Sequence, residues 1–166
     1  MSLYLLPIFK TKHQPTIDMK TNEELFRTFI DKGFSEGDVT VFDEYASPDF
    51  IEHQNGLLPP NAEGVKKSIT SLHRAFPDFS LTIEDMIIKD NMIWGRMTGR
   101  GTHKGQFGPL PPSGKKFEIT VIDIMRFKDG ELVEHWGVPD RLGLMEQLGM
   151  KPPPKFILKL MSLFHR

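Results

Sequence analysis

The hydrophobic period of this chain changes once, at Pro77, and that change restricts the fold more than any single motif. Before it, apolar residues recur at helical spacing. Thr21-Asn22-Glu23-Glu24 forms a capping box, and Leu25, Phe26, Phe29 and Ile30 follow at i, i+1, i+4 and i+5, which predicts a helix over 21–33. A second, shorter helix opens at Gly37-Asp38, runs through Val41, Phe42 and Tyr45, and ends before Pro48. Asn61 caps a third, whose stripe is Val65, Ile69, Leu72, His73 and Phe76. Between them DFIEH (49–53) reads as a short strand leading into the loop QNGLLPPN.

After Pro77 the segments FSLTIEDMII, MIWGRMTGRGTH, KFEITVIDIMRF and ELVEHWGV alternate and are rich in β-branched and aromatic residues, so four strands are expected. KDN (89–91) and KDG (128–130) mark hairpins, and GQFGPLPPSGK (105–115) reads as an ordered loop over one end of the sheet. Asp140 caps a last helical stretch, RLGLMEQLG, closed by Gly149. Helices first and antiparallel strands afterwards imply an α+β domain with the helices on one face of a curved sheet.

Composition narrows the partners. The chain has 166 residues, 26% of them charged, and a formal net charge of −1, so one domain is expected and nucleic acid is disfavoured as the main partner. It has no cysteine, which removes disulfides and thiolate chemistry and favours a cytoplasmic home. Residues 1–19 read as an irregular leader that is neither signal peptide nor span, and 20–150 as the domain. In the tail, 151–166, Lys155, Lys159, Ser162 and Arg166 share one helical face. This basic amphipathic tail is expected to pack on its own domain or on a dimer mate rather than on a membrane.

Within the strand VIDIMRF (121–127), Asp123 is an acid among Val121, Ile122, Ile124, Met125 and Phe127. Burying it unpaired costs several kcal/mol or shifts its pKa. A three-residue KDG loop would pair Phe127 with Glu131 and set Asp123 opposite His135, whereas a two-residue Asp-Gly turn would set it opposite Trp136. The first register is the one expected. An acid and an imidazole side by side on an apolar wall suit general acid–base work. The competing reading ties Asp123 to Arg96, Arg100 or Arg126 and gives it no catalytic task.

Other candidates follow from position. His53 ends the first strand on the same face as Ile51. His103 ends the long third strand, on the face of Ile93, Met97 and three glycines (95, 99, 101), which either admit a helix closely or leave room for a ligand. Trp94 and Trp136 would supply apolar walls, as would Phe107 and Met125. A metal site from His53, His103, Asp123, Glu134 and His135 is conceivable, but no local pair shows metal-ligand spacing, so none is expected. G-x-S-x-G, P-loop and dinucleotide fingerprints are absent from the sequence.

HRAFPDFSLTIEDM, the stretch GRGTHKGQFGPLPPSGKKFEIT, and VIDIMRFKDGELVEHWGVPDRLGLMEQLG, in this order and spacing, resemble the SnoaL-like polyketide cyclase family of the nuclear-transport-factor-2-like superfamily. The resemblance covers about residues 20–150; the leader and the tail lie outside it. It implies a cone: a strongly curved antiparallel sheet around a pocket closed by the N-terminal helices, assembling as dimers or tetramers through the open sheet face. It also implies ring closure of an apolar polycarbonyl compound by an intramolecular aldol reaction without metal or cofactor. Asp123 matches the family's acid–base aspartate, and His103 and His135 fall where the family pattern has histidines. His53 matches a histidine common after the first strand. Thus Asp123, His135 and His103 are the expected catalytic residues, with His53, Trp94, Phe107, Met125 and Trp136 as substrate contacts. An isomerase or epoxide hydrolase in the same pocket, or a non-catalytic module binding an apolar metabolite, are the alternatives.

Overall fold

The computed structural model describes residues 20–150; the leader and the basic tail lie outside the described residues. The elements in order are α1 (Asn22–Thr28), a π-helical segment (Phe29–Ser35), α2 (Thr40–Tyr45), β1 (Ala46–Glu52) and α3 (Ala62–Ala75). They are followed by β2 (Ser80–Lys89), β3 (Met92–Thr102), β4 (Lys116–Lys128), β5 (Glu131–Pro139) and α4 (Arg141–Leu148). The strands form one sheet of order β1-β5-β4-β3-β2.

Local chemistry sets the helix ends. The Thr21 amide donates to Glu24 Oε2 (2.7 Å) and the Glu24 amide to Thr21 Oγ1 (3.2 Å), so both arms of the capping box are made. The helix expected to run regularly to 33 instead widens at Phe29. Ser35 explains part of this: its hydroxyl donates to the Ile30 carbonyl (3.0 Å), five residues back, and accepts from the Leu81 amide (2.9 Å), which ties the wide turn to β2. The widened turn buries Phe29, Ile30 and Gly33 together. It also brings Phe34 beside His135, with ring centroids 5.9 Å apart. At the other end of the domain, Asp140 Oδ1 accepts from the Gly143 amide (2.8 Å), and Gly149, at φ +102°, closes α4.

The sheet is mixed rather than wholly antiparallel. β2 through β5 form an antiparallel meander, but β1 runs parallel to β5 along its outer edge. No hairpin links those two strands; the chain leaves β1, crosses the concave face as α3, and reaches β5 only after three more strands. Pro48, within β1, sits on an edge strand, the position a sheet tolerates for a residue without an amide hydrogen.

The β4–β5 register differs from both sequence alternatives. Asp129 and Gly130 have φ of +53° and +82°, the signature of a two-residue primed turn, so Lys128 pairs with Glu131 and Phe127 with Leu132. One extra residue, Val133, is then accommodated as a bulge, and Arg126 pairs with Glu134. Asp123 therefore faces Gly137, and His135 faces Met125. The bulge keeps Leu132 and His135 on the inner face although they are three residues apart, and both are buried.

Phe26, Phe29, Phe76 and Phe127 fill the core between helices and sheet. The β3 glycines serve this packing: a Cβ on Gly95 would stand 2.5 Å from Phe26 Cζ, and one on Gly101 3.0 Å from the Phe117 ring. Of the two uses expected, Gly95 admits a helix closely, through Phe26 of α1; Gly101 makes room for the Phe117 ring, and Gly99 lies among Leu81, Ile119 and Val121.

Candidate active site

The inner sheet face, α3, α4, the π-helical segment and the 105–115 loop enclose a cavity of about 470 Å³. That is within the usual range for a small-molecule site, about 300–1,000 Å³. Its walls are mostly apolar: Phe34, Val65, Ile69, Leu72, Phe107, Phe117, Ile119, Val121 and Leu144. The polar lining residues are few: Gln54, Ser68, Asp123, His135 and Arg141.

Asp123 and His135 are buried at 3% and 2% exposure, and His135 Nε2 lies 3.6 Å from Asp123 Oδ2. The spacing is that of an ion pair, too long for a direct hydrogen bond. The other ring nitrogen is fully committed: His135 Nδ1 lies 2.7 Å from Glu52 Oε2. Glu52, at the end of β1 and itself 3% exposed, accepts a second bond on Oε1 from the Gln54 amide (2.6 Å). Burial alone would depress the imidazole; the carboxylates of Asp123 and Glu52 outweigh it and push it up to about 10. His135 is thus a cation at neutral pH, clamped through Nδ1, with Nε2 turned towards Asp123.

Gly137 completes the arrangement. A Cβ there would overlap the Gln54 carboxamide oxygen and lie 3.2 Å from Asp123 Oδ1, so the missing side chain leaves the room that Gln54 occupies on this side of the sheet. The arginine reading of Asp123 fails on geometry. Arg96 bonds Asp85, Arg100 bonds Glu118 and Arg126 pairs with Glu134, all on the opposite sheet face.

The other residues singled out in the sequence are dispersed. Phe107 lines the cavity. Met125 is fully buried, directly across from His135 on the neighbouring strand, and is not a lining residue. His103 is also buried, with Nδ1 3.0 Å from Ser113 Oγ and its ring 5.4 Å from that of Phe76; it fastens the 105–115 loop and does not line the cavity. Trp94, Trp136 and His53 lie on the outer face of the sheet or along its edge. His53 stacks on Trp136 at 4.4 Å and bonds Glu134 (3.2 Å). Among the described residues no group of three histidines or carboxylates is placed to hold a metal ion. No helix there is long and apolar enough to cross a membrane.

Sequence reasoning missed Glu52, Gln54, Phe34 and Arg141. For Glu52 a signal existed: in DFIEH the residue that must be buried is Phe50, and Glu52 follows it on the same face, while Ile51 and His53 point outward.

Residues 24–148 match the family model described as SnoaL-like polyketide cyclase. Aklanonic acid methyl ester cyclase DauD of Streptomyces sp. (strain C5) is 31% identical over 111 residues, 66% of this chain and 67% of that protein. Nogalonic acid methyl ester cyclase of Streptomyces nogalater is 26% identical over 121 residues, 70% and 89% of the two chains. Among solved structures, TsrD of Streptomyces laurentii superposes with a TM-score of 0.68 at 30% identity, covering 76% of this chain and 93% of its own. With the family model matching most of the domain and the cone-like fold in place, the chain belongs to the SnoaL-like polyketide cyclase family.

Proposed function

We propose that the protein is a cofactor-independent polyketide cyclase in which Asp123 is the general base of an intramolecular aldol ring closure. The observation that carries this reading is the Asp123–His135 pair, backed by Glu52, opening onto a mostly apolar cavity. Asp123 takes a proton from a carbon flanked by carbonyl groups. The enolate carbon attacks a second carbonyl of the same molecule, a carbon–carbon bond forms, and the new alkoxide takes the proton back. Substrate and product are isomers, so nothing else is consumed.

His135 cannot serve as the base at neutral pH, since it is already protonated. Its role is a fixed positive charge beside Asp123, which favours the enolate and the alkoxide as their negative charge develops. Glu52 holds the ring in place, and the Gln54 carboxamide adds a neutral polar group next to the acid. The apolar walls keep water away and hold the folded substrate conformation. Because Asp123 is free of arginine and faces the cavity, the reading as a purely non-catalytic module loses its main support.

Asp123→Asn keeps the shape and removes the base. With aklanonic acid methyl ester or its free acid as trial substrates, the variant should lose about a hundred- to ten-thousand-fold in kcat. Unimpaired ring closure by Asp123→Asn would end the proposal.

The partner expected besides the substrate is a second copy of the chain, seated on the outer sheet face, where Ile122 and Val138 are 41% and 62% exposed. A cytoplasmic home accords with the absence of cysteine from the sequence. Sedimentation of the wild type as a monomer at micromolar concentration would remove the pairing; detection of the native protein outside the cell would remove the location.

A further inference from the structure

The cavity has a charge gradient along it. Its closed end carries the Asp123–His135 pair, with Glu52 bonded to His135 and off the cavity wall, so two carboxyl groups stand there against one imidazole. Its mouth is marked by lining residues that are exposed, and one of them is Arg141 at the start of α4. Among the described residues that line the cavity, Arg141 is the only arginine or lysine.

Its guanidinium is placed rather than free. Nη2 donates to the Asn55 carbonyl oxygen (2.7 Å), and a Cβ on Gly56 would stand only 3.4 Å from Nη1. The group thus lies along the loop that follows β1. An arginine has five N–H donors, and Asn55 takes one. Arg27, Arg96, Arg100 and Arg126 each meet a carboxylate, whereas among the described residues Arg141 meets none.

We infer that Arg141 is a specificity residue that binds a carboxylate of the substrate at the cavity mouth. A ligand carboxylate is disfavoured by the two carboxyl groups at the closed end and attracted to the mouth. An elongated polycarbonyl molecule therefore enters with its uncharged end first, and its reacting carbon reaches Asp123. The inference rests on reading the cavity as the cyclase site. It sets this chain's preference towards a free acid, whereas the names of the two relatives specify methyl esters.

The test uses anthraquinone-2-carboxylate and its methyl ester, a rigid three-ring pair differing in one charge, titrated calorimetrically against the full chain. The acid should bind about fivefold more tightly than the ester, the worth of a solvent-exposed ion pair, and added salt should narrow the gap. Arg141→Gln should lower the acid to the affinity of the ester and leave the ester unchanged, while Arg141→Lys retains part of the preference. Equal binding of acid and ester by the wild type overturns the inference. So does absence of saturable acid binding, or a preference that survives in Arg141→Gln. The two proposals fail separately: ring closure that survives in Asp123→Asn defeats the cyclase reading, whereas the acid–ester comparison between the wild type and Arg141→Gln, with Asp123 intact in both, tests Arg141 alone.

Discussion

Glu52→Gln is the perturbation that reaches deepest into the site, because the side chains are isosteric and differ only in charge and hydrogen-bonding sense. Glu52 accepts twice, from the Gln54 amide (2.6 Å) and from His135 Nδ1 (2.7 Å). A glutamine has one carbonyl oxygen and one NH2 group, so it can accept only one of these bonds. If the oxygen stays on Gln54, the NH2 faces Nδ1, and the ring must become neutral with its proton on Nε2. If the oxygen turns to His135, the Gln54 amide is left facing another donor. Both outcomes remove one of the two anions that hold the imidazole charged. Losing a charge-assisted bond at a buried site costs about 1.5–3 kcal/mol.

The pH dependence gives the sharper readout. His135 is raised from 6.5 to about 10 in the folded protein. A raised histidine stabilises the fold fully below its unfolded value and loses that contribution as pH rises through the folded one. Between about pH 6.5 and 10 the folded chain holds one proton more than the unfolded chain, so this group lowers stability by about 1.4 kcal/mol per pH unit. In Glu52→Gln the upper end of that window moves down towards neutrality and the slope above it flattens. Urea unfolding at four or five pH values, with an NMR titration of the His135 ring, measures both. A ring that still titrates near 10 in Glu52→Gln, with an unchanged slope, would refute the clamp.

Gly95→Ala should destabilise the domain by about 1–3 kcal/mol in the same unfolding assay, because its Cβ would press on the buried Phe26 ring; wild-type stability would show that α1 yields freely. Ile122→Lys combined with Val138→Lys charges two exposed apolar positions of the outer face and should shift sedimentation from dimer to monomer without lowering the melting temperature. A dimer that persists in the double variant places the contact elsewhere.

The fold was legible because its information is local. The capping box at Thr21, the Asn61 and Asp140 caps, and the alternation after Pro77 each act within a few residues, and the structure realises them nearly as read. Three features escaped. The π-helical turn depends on Ser35 meeting β2, a contact 46 residues away in sequence. The β4–β5 register turned on whether the Asp-Gly pair forms a two-residue turn and on the Val133 bulge. Local turn rules offered two registers, but burial of Phe127 with Leu132 and of His135 selects a third. The parallel placement of β1 against β5 escaped because no turn joins the two strands.

That last gap is what separated the expected site from the observed one. An Asp–His pair on one hairpin was visible because its two residues are close in sequence, although the face they share depends on the Val133 bulge as well as on period two. The acid that fixes the histidine is 83 residues from it. Glu52 reaches His135 only because the edge strand runs parallel to β5 with Glu52 in register with His135. In the hairpin alone, the imidazole could have served as a base, an acid or a packing group, since desolvation and a single carboxylate act in opposite directions on its charge. The second carboxylate, supplied by the long-range pairing, adds to the larger pull of Asp123 in holding the ring charged and fixes it through Nδ1; in the proposed reaction that leaves Asp123 to move the proton. Moving that one carboxylate out of reach would return His135 towards neutrality and make it a competing base. In the proposed reaction the position of β1 therefore helps to hold the imidazole charged and in place beside Asp123.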